Sequence, residues 1–145
     1  MKDFPHHYPA TATATASSNV TLSSDDVRDI ESAPPVEFGG EGGHWSPESL
    51  LVAAVADCYI LSFRAISRAS RLDWTALRCD VVGELDRVDR VISFTRFEVS
   101  ASLEVPPDTD VEKAEKLLHK AESACLITNS LIADSQLSTQ ITVAD

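Results

Sequence analysis

The pattern of hydrophobic and polar positions predicts two long strands and one long helix. Residues 91–105 alternate nearly strictly from Phe97 onward, which is typical of a strand with one buried face. A short polar turn separates this segment from 74–85, which predicts a partner strand. Apolar residues lie on nearly every side of a helix between 50 and 61. We therefore expect a buried central helix that runs to about Arg71.

Shorter segments complete the predicted order of elements. They are three short strands at 10–16, 20–22 and 27–30, a second helix from 108 or 109 to about 123, and a last strand at 138–143. This order predicts an α+β domain with antiparallel sheet on one side. One helix that is apolar all round is more than a monomer of this size can cover. We therefore expect a homodimer in which the central helices pack together.

Length and charge narrow the class of protein. The 145 residues are expected to form a single domain, 1–145, with residues 1–9 as a candidate disordered tail. The net charge of −11 argues against nucleic acid and anionic membrane surfaces as partners. The longest unbroken apolar run, 50–56, is too short to span a bilayer, and the first residues lack the apolar segment of a secretory signal. We therefore expect a cytoplasmic protein.

A glycine-rich loop leads into the central helix. Residues 33–46 hold two prolines and four of the five glycines, which permit backbone conformations that other residues avoid. Ser46 has the chemistry of an N-cap, Pro47 suits the first helical position, and Glu48 places an acid in the first turn. The sequence therefore predicts that the helix begins here.

The three cysteines, at 58, 79 and 125, are the candidate nucleophiles. In a reducing cytoplasm they are not expected to form permanent disulfides, and their spacing matches no zinc motif. The four histidines show no metal-ligand spacing either, so we expect neither a metal nor a bound cofactor. A free cysteine is commonly an inert, buried, small side chain. Composition alone therefore favours a structural role for all three.

Two stretches resemble one known family. G-G-E-G-G-H-W-S-P-E-S-L-L-V-A-A-V-A-D-C, which ends at Cys58, and the downstream A-C-L-I-T-N-S-L, which contains Cys125, resemble the motifs of the OsmC/Ohr family. These are the osmotically inducible protein C and organic hydroperoxide resistance proteins. The match to the second motif, through Cys125 and Asn129, is loose. The resemblance covers most of the chain from Glu37 onward and implies antiparallel sheets around a buried central helix in an intertwined homodimer.

The resemblance implies a thiol-dependent peroxidase that reduces organic hydroperoxides. Cys58 matches the peroxidatic cysteine, Cys125 the resolving cysteine, and Glu48 the functional glutamate of the family. A thiolate that attacks a peroxide becomes a sulfenic acid, which a second thiol condenses to a disulfide. An external dithiol, of the lipoyl type in the family, would then reduce that disulfide. The implied role is antioxidant.

Glu48 and Cys58 are separated by ten residues, or about 15 Å along one helix. Glu48 is therefore not expected to serve the cysteine of its own chain, and a role across a dimer interface would suit it better. A purely local role also fits, because an acid in the first turn complements the helix dipole. The two roles are compatible.

The chain departs from the family at one charged residue. The family places an arginine in an N-terminal strand to stabilise the thiolate, whereas residues 12–19 contain none and Arg28 is the only arginine before the central helix. Without a cation, a buried thiol would have a raised pKa and react slowly. Two alternatives therefore stay open: a non-catalytic OsmC-like protein that binds a hydrophobic ligand or senses oxidants, and a structural pair of buried cysteines.

Overall fold

The computed structural model describes all 145 residues and divides them into two compact units, Met1–Leu50 and Leu51–Asp145. The predictions of a single domain and of a disordered tail at 1–9 stay predictions. The elements, in chain order, are β1 (Thr11–Thr13), β2 (Val20–Ser23), β3 (Ile30–Ser32), α1 (Pro47–Ala69), β4 (Ala76–Val88), β5 (Val91–Val105), α2 (Val111–Ser123), α3 (Leu126–Asn129) and β6 (Asp134–Val143). Two sheets and three helices make a mixed α+β fold, as predicted.

The first unit contains a small antiparallel sheet in the order β1-β2-β3. After β3, the chain makes a short 3-10 helix at Val36–Phe38 and returns, so that the backbone N–H of Ala33 donates to the carbonyl of Trp45 at 2.8 Å. Gly40 makes this loop possible because a Cβ there would lie 1.8 Å from the carbonyl oxygen of Pro34. The predicted glycine-rich segment is therefore a loop whose two ends, at Ala33 and Trp45, are hydrogen-bonded to each other.

The helix start predicted at Ser46 is confirmed. The Ser46 hydroxyl accepts a hydrogen bond from the backbone N–H of Ser49 at 3.1 Å, and the Ser49 hydroxyl accepts one from the backbone N–H of Ser46 at 2.9 Å. Two N–H groups that would otherwise lack partners are thus satisfied reciprocally, as in a capping box. Pro47 is the first residue of α1.

In the second unit α1 buries one face only. Val55, Tyr59, Phe63 and Ser67 recur every four residues and are almost completely buried, whereas Asp57, Leu61, Arg64 and Arg68 are exposed. The prediction of a helix buried on all sides is therefore not met within the chain, because one sheet covers one face. By length and composition alone α1 would suffice to cross a membrane, with a mean hydropathy of 1.7. That evidence is weak, because the core helix of a soluble protein passes the same test.

The second sheet has the order β4-β5-β6 and carries the core of this unit. The inward residues of β5 are at most 2% exposed; they are Phe97, Val99, Ala101, Leu103 and Val105. Exposed polar residues alternate with them along the strand. The strand alternation predicted from the sequence is confirmed. On α2, Ala114, Leu117, Leu118 and Ala121 are buried, and the Tyr59 hydroxyl donates to the carbonyl of Leu118 at 3.0 Å.

The prediction of purely antiparallel sheets is wrong for the last strand. The strands β4 and β5 are antiparallel, but β6 runs parallel to β5, from Arg96↔Asp134 to Val105↔Val143. Parallel neighbours require a crossover connection, and α2 and α3 supply it between β5 and β6. The crossover brings α3, and the cysteine that precedes it, back toward the start of β6.

Candidate active site

Cys58 lies in the middle of α1, half-buried, directly before the fully buried Tyr59. Its Sγ atom is 3.9 Å from the hydroxyl oxygen of Ser62, one helical turn further along. Val55, three residues before Cys58, and Tyr59, one residue after it, are buried in the core, so packing holds the backbone that carries the thiol. The sequence analysis placed Cys58 on the central helix, and the structure agrees.

Cys125 is the N-cap residue of α3 and is 2% exposed. Its carbonyl accepts the backbone N–H of Asn129 at 3.0 Å and the Thr128 hydroxyl at 3.2 Å. The Asn129 amide group donates to the carbonyl of Ser123 at 3.1 Å, which ties α3 to the end of α2. Asn129, which carried part of the resemblance, thus fixes the short turn on which Cys125 sits.

The structure brings Cys58 and Cys125 together. The Cys125 side chain and the backbone N–H groups of Leu126 and Ile127 lie near enough to the Cys58 thiol to lower its pKa. These N–H groups belong to the first turn of α3, where no acceptor exists within the helix. A thiolate at Cys58 therefore receives donors that the helix itself leaves unused.

Two opposing effects set the pKa of Cys58. Burial, the largest single effect, raises it, because the thiolate loses water. The hydrogen bonds from Ile127, Cys125, Ser62 and Leu126 together outweigh burial and hold the pKa below its ordinary value. The thiolate fraction at neutral pH is thus higher than for an ordinary cysteine, without any cation beside the sulfur.

The backbone donors among these are not predictable from the sequence. Backbone N–H groups at a helix start have no residue signature, so nothing in the sequence marked Leu126 and Ile127. Ser62 did carry a signal, because residues four apart on a helix are neighbours. The spacing from Cys58 to Ser62 would have identified it.

Cys79, on β4, has the opposite character. Burial raises its pKa to about 11, and the negative charges of Asp80 and of an ionised Cys125 act in the same direction. It pairs with buried Ala101 across the sheet and packs against the core. Cys79 is therefore protonated, and a weak nucleophile, at neutral pH.

Glu48 belongs to the first unit, where it lines a cavity of about 280 Å³. The other residues of this cavity are mainly apolar: Val20, Ser32, Ala33, Pro34, Pro35, Phe38 and Pro47. The Oε2 atom of Glu48 is buried and has no hydrogen-bond partner. A buried carboxylate oxygen is costly to leave unpaired, so the cavity suits a donor group on an apolar body. The role of Glu48 toward Cys58 stays a prediction.

Arg28 does not pair with Glu48. It is exposed in the turn that joins β2 to β3, and it forms no salt bridge. The Glu48 cavity is lined by Val20 and Ser32, which pair at the other end of the same two strands. Arg28 therefore does not supply to this cavity the cation that the N-terminal strands lack.

His44 and Trp45 line a second, shallower cavity of about 360 Å³ together with Glu31 and Gly43. The imidazole of His44 lies 3.7 Å from the Glu31 carboxylate, and Trp45 is 50% exposed. Nowhere in the chain do three or more histidine, cysteine or acidic side chains come together as a metal site would require.

Comparison with known proteins identifies relatives across most of the chain. The family model of OsmC-like protein matches residues 40–140. The uncharacterized protein YmaD of Bacillus subtilis is 29% identical over 129 residues, which cover 82% of this chain and 86% of that protein. The uncharacterized protein ACIAD3023 of Acinetobacter baylyi is 26% identical over 125 residues, 85% of each chain.

Solved structures share the fold at lower identity. The OsmC-like protein of unknown function VCA0330 from Vibrio cholerae matches with a TM-score of 0.80 and 19% identity, over 95% of this chain and 100% of that one. An organic hydroperoxide resistance protein OsmC from Legionella pneumophila matches with a TM-score of 0.74 and 21% identity, over 97% and 100%. At this identity the likeness establishes the fold alone.

Proposed function

Since the chain belongs to the family of OsmC-like proteins, we propose that it is a thiol-dependent peroxidase that reduces organic hydroperoxides to alcohols. One observation carries the proposal: the Cys125 side chain and the N–H groups at the start of α3 lie near the Cys58 thiol and hold its pKa below its ordinary value in spite of burial. A peroxidatic thiol needs both a stabilised thiolate and a second thiol within reach. Some solved relatives in fold, including the Legionella protein, are organic hydroperoxide resistance proteins.

The proposed reaction has three steps. The Cys58 thiolate attacks one oxygen of the hydroperoxide, so that an S–O bond forms, the O–O bond breaks, and the alkoxide leaves as an alcohol after it takes a proton. The Cys125 thiol then attacks the sulfenic sulfur, an S–S bond forms, and water leaves. An external dithiol, for example a lipoyl group, reduces the disulfide by exchange and becomes a disulfide itself. No bound cofactor takes part.

Apolar surface beside the thiol supports an alkyl hydroperoxide as substrate. Leu126, whose backbone N–H lies near Cys58, is 73% exposed. Exposed apolar side chains attract an alkyl body, because its contact with them removes apolar area from water. Hydrogen peroxide has no such body, so we expect it to be the poorer substrate.

Glu48 and the dimer belong to the same proposal. The exposed side of α1 carries Leu61 between Asp57 and Arg64, and a second copy of the chain would cover it. In such a homodimer Glu48, with its unpartnered Oε2 atom, would act at the thiol of the partner subunit. The reaction needs reduced thiols, so a cytoplasmic location fits it.

Steady-state turnover tests the function. With dihydrolipoamide as reductant, the protein should consume cumene hydroperoxide continuously, and Cys58→Ser should reduce the rate more than about a thousandfold, because the nucleophile is lost. Cys79→Ser is the matched control and should keep turnover, since Cys79 is protonated at neutral pH. Absence of turnover in the wild-type protein, or equal rates in wild type and Cys58→Ser, would contradict a peroxidase.

The apolar cavity of the first unit favours a second candidate, a non-catalytic binder of a hydrophobic ligand or a sensor of oxidants. Its apolar walls and single carboxylate have the composition of a small-molecule site, and the arginine of the family is absent. A binder or sensor would lose its thiols once or not at all, and would show no sustained consumption of peroxide. The same turnover assay therefore separates the two candidates.

A further inference from the structure

We propose that Ser62 is a positioning residue for the Cys58 thiolate, which it holds by a hydrogen bond from its hydroxyl. The inference rests on the proposed function, because it assigns to Ser62 a part of the thiolate stabilisation for which the family uses an arginine. Ser62 follows Cys58 by four residues on α1, and the Oγ and Sγ atoms are 3.9 Å apart. Both side chains are half-buried.

The other helical serines that bond within their helices use their hydroxyls differently. Ser67 donates to the carbonyl of Arg64 at 3.2 Å and Ser123 to that of His119 at 3.4 Å, and Ser130, the C-cap residue of α3, donates to that of Leu126 at 2.8 Å. A backbone carbonyl three or four residues back is the ordinary partner of a serine in a helix. Ser62 has the thiol as its hydrogen-bond partner instead. Its hydroxyl is therefore available as a donor when the sulfur is charged.

The other groups near Cys58 show why the Ser62 hydroxyl affects the stability of the thiolate. From α1 there is the Ser62 hydroxyl, and from the start of α3 there are the N–H groups of Leu126 and Ile127 and the side chain of Cys125. Cys125 is the titratable group in this set, and the set contains neither a carboxylate nor a cation. Hydrogen bonds alone thus oppose the effect of burial, and the loss of one is not offset by a charge.

The pH dependence of alkylation at Cys58 tests the inference. Trypsin places the three cysteines in separate peptides, 29–64, 79–87 and 121–145, so mass spectrometry can follow Cys58 alone after a short exposure to iodoacetamide. In Ser62→Ala the midpoint of the rate–pH curve should move upward by about 0.5–1 unit, which lowers the rate below the midpoint about three- to tenfold. Ser62→Thr keeps a hydroxyl and should restore the wild-type midpoint.

Ser123→Ala is the matched control, because it removes a helical hydroxyl whose partner is a carbonyl. It should leave the midpoint unchanged. An unchanged midpoint in Ser62→Ala would overturn the inference, and so would a Ser62→Thr midpoint that follows the alanine variant. The assay uses no peroxide, so a failure here is distinct from a failure of turnover: an inactive protein with the expected shift would contradict only the proposed function.

Discussion

The three cysteines of this chain show how strongly the surroundings of one residue type decide its chemistry. Burial raises the pKa of Cys79 to about 11, whereas hydrogen-bond donors hold the pKa of Cys58 below its ordinary value although burial opposes them. Cys79 lies on strand β4, half-buried against the core, where no hydrogen-bond donor opposes the effect of burial on its pKa. Cys58 faces the start of a helix, where N–H groups are free to bond a thiolate. The same residue type therefore has a lowered pKa at one position and a raised pKa at the other.

The raised pKa of Cys79 predicts that stability falls in alkali. An unfolded cysteine ionises near pH 9.0, but folded Cys79 stays protonated until about pH 11, so the unfolded state releases its proton first. The free energy of unfolding should decline as pH rises between these values. Urea unfolding of the reduced protein at several pH values measures it.

In Cys79→Ala the decline between pH 9 and 11 should be shallower. The comparison concerns the slope with pH, because the variant also loses packing at every pH. The pKa of Tyr59 is raised by burial and, to a smaller extent, by the charge of Cys79, so the variant loses that smaller part, which also makes the decline shallower. Identical slopes in the two proteins would contradict a buried, protonated Cys79.

At the residue scale the sequence predicted a pair of cysteines but not the surroundings of their thiols. The motif around Cys58 and the segment around Cys125 identified a thiol pair, and the structure brings the two side chains together. The donors that stabilise the thiolate were not predicted, because a backbone N–H becomes a donor only through the fold. The groups that lower the pKa of Cys58 are hydrogen-bond donors, and no arginine is among them.

Among the elements, the contact of α1 with β4 depends on a residue without a side chain. A Cβ at Gly83 would lie 2.8 Å from the Phe94 ring and 2.9 Å from a methyl group of Val52. Such distances require the neighbours to shift, and Phe94 is itself stacked on Phe97, with ring centroids 5.2 Å apart. Gly83 thus sets how closely the helix that carries Cys58 approaches the sheet.

Gly83→Ala should lower the free energy of unfolding by about 1–3 kcal/mol, because the added methyl group overpacks this contact. Chemical denaturation measures the change. Val82→Ala, on the same strand at a position 64% exposed, is the control and should change stability by less than about 0.5 kcal/mol. A Gly83→Ala protein as stable as the wild type would show that α1 and β4 have room between them.

Element boundaries were predictable where a local signal exists. The N-cap serine, the alternation of β5 and the apolar stripe of α2 all depend on residues close together in the sequence. All three appear where the sequence predicted them. The exception is Val111, which was predicted to belong to the α2 stripe and is 43% exposed. The parallel pairing of β5 with β6 was not predictable in this way. Strand direction depends on where the crossover returns the chain, which no short pattern records.

On the scale of the whole molecule, the proposed thiol chemistry belongs to one unit. Cys58, Ser62, Cys79, Cys125 and α3 all lie within Leu51–Asp145. The first unit contributes Glu48, for which we propose a role in the homodimer, and the apolar cavity that Glu48 lines. The net charge of −11 repels polyanions, which agrees with the small apolar substrate proposed above.

The redox pairing of Cys58 with Cys125 is the central claim, and a disulfide map tests it most directly. The reduced protein is treated with one equivalent of cumene hydroperoxide, blocked, and digested with trypsin without reductant. We expect peptide 29–64 to be linked to peptide 121–145, while peptide 79–87 keeps a free thiol. Three free thiols after treatment, or a disulfide that includes Cys79 in place of either partner, would contradict the claim.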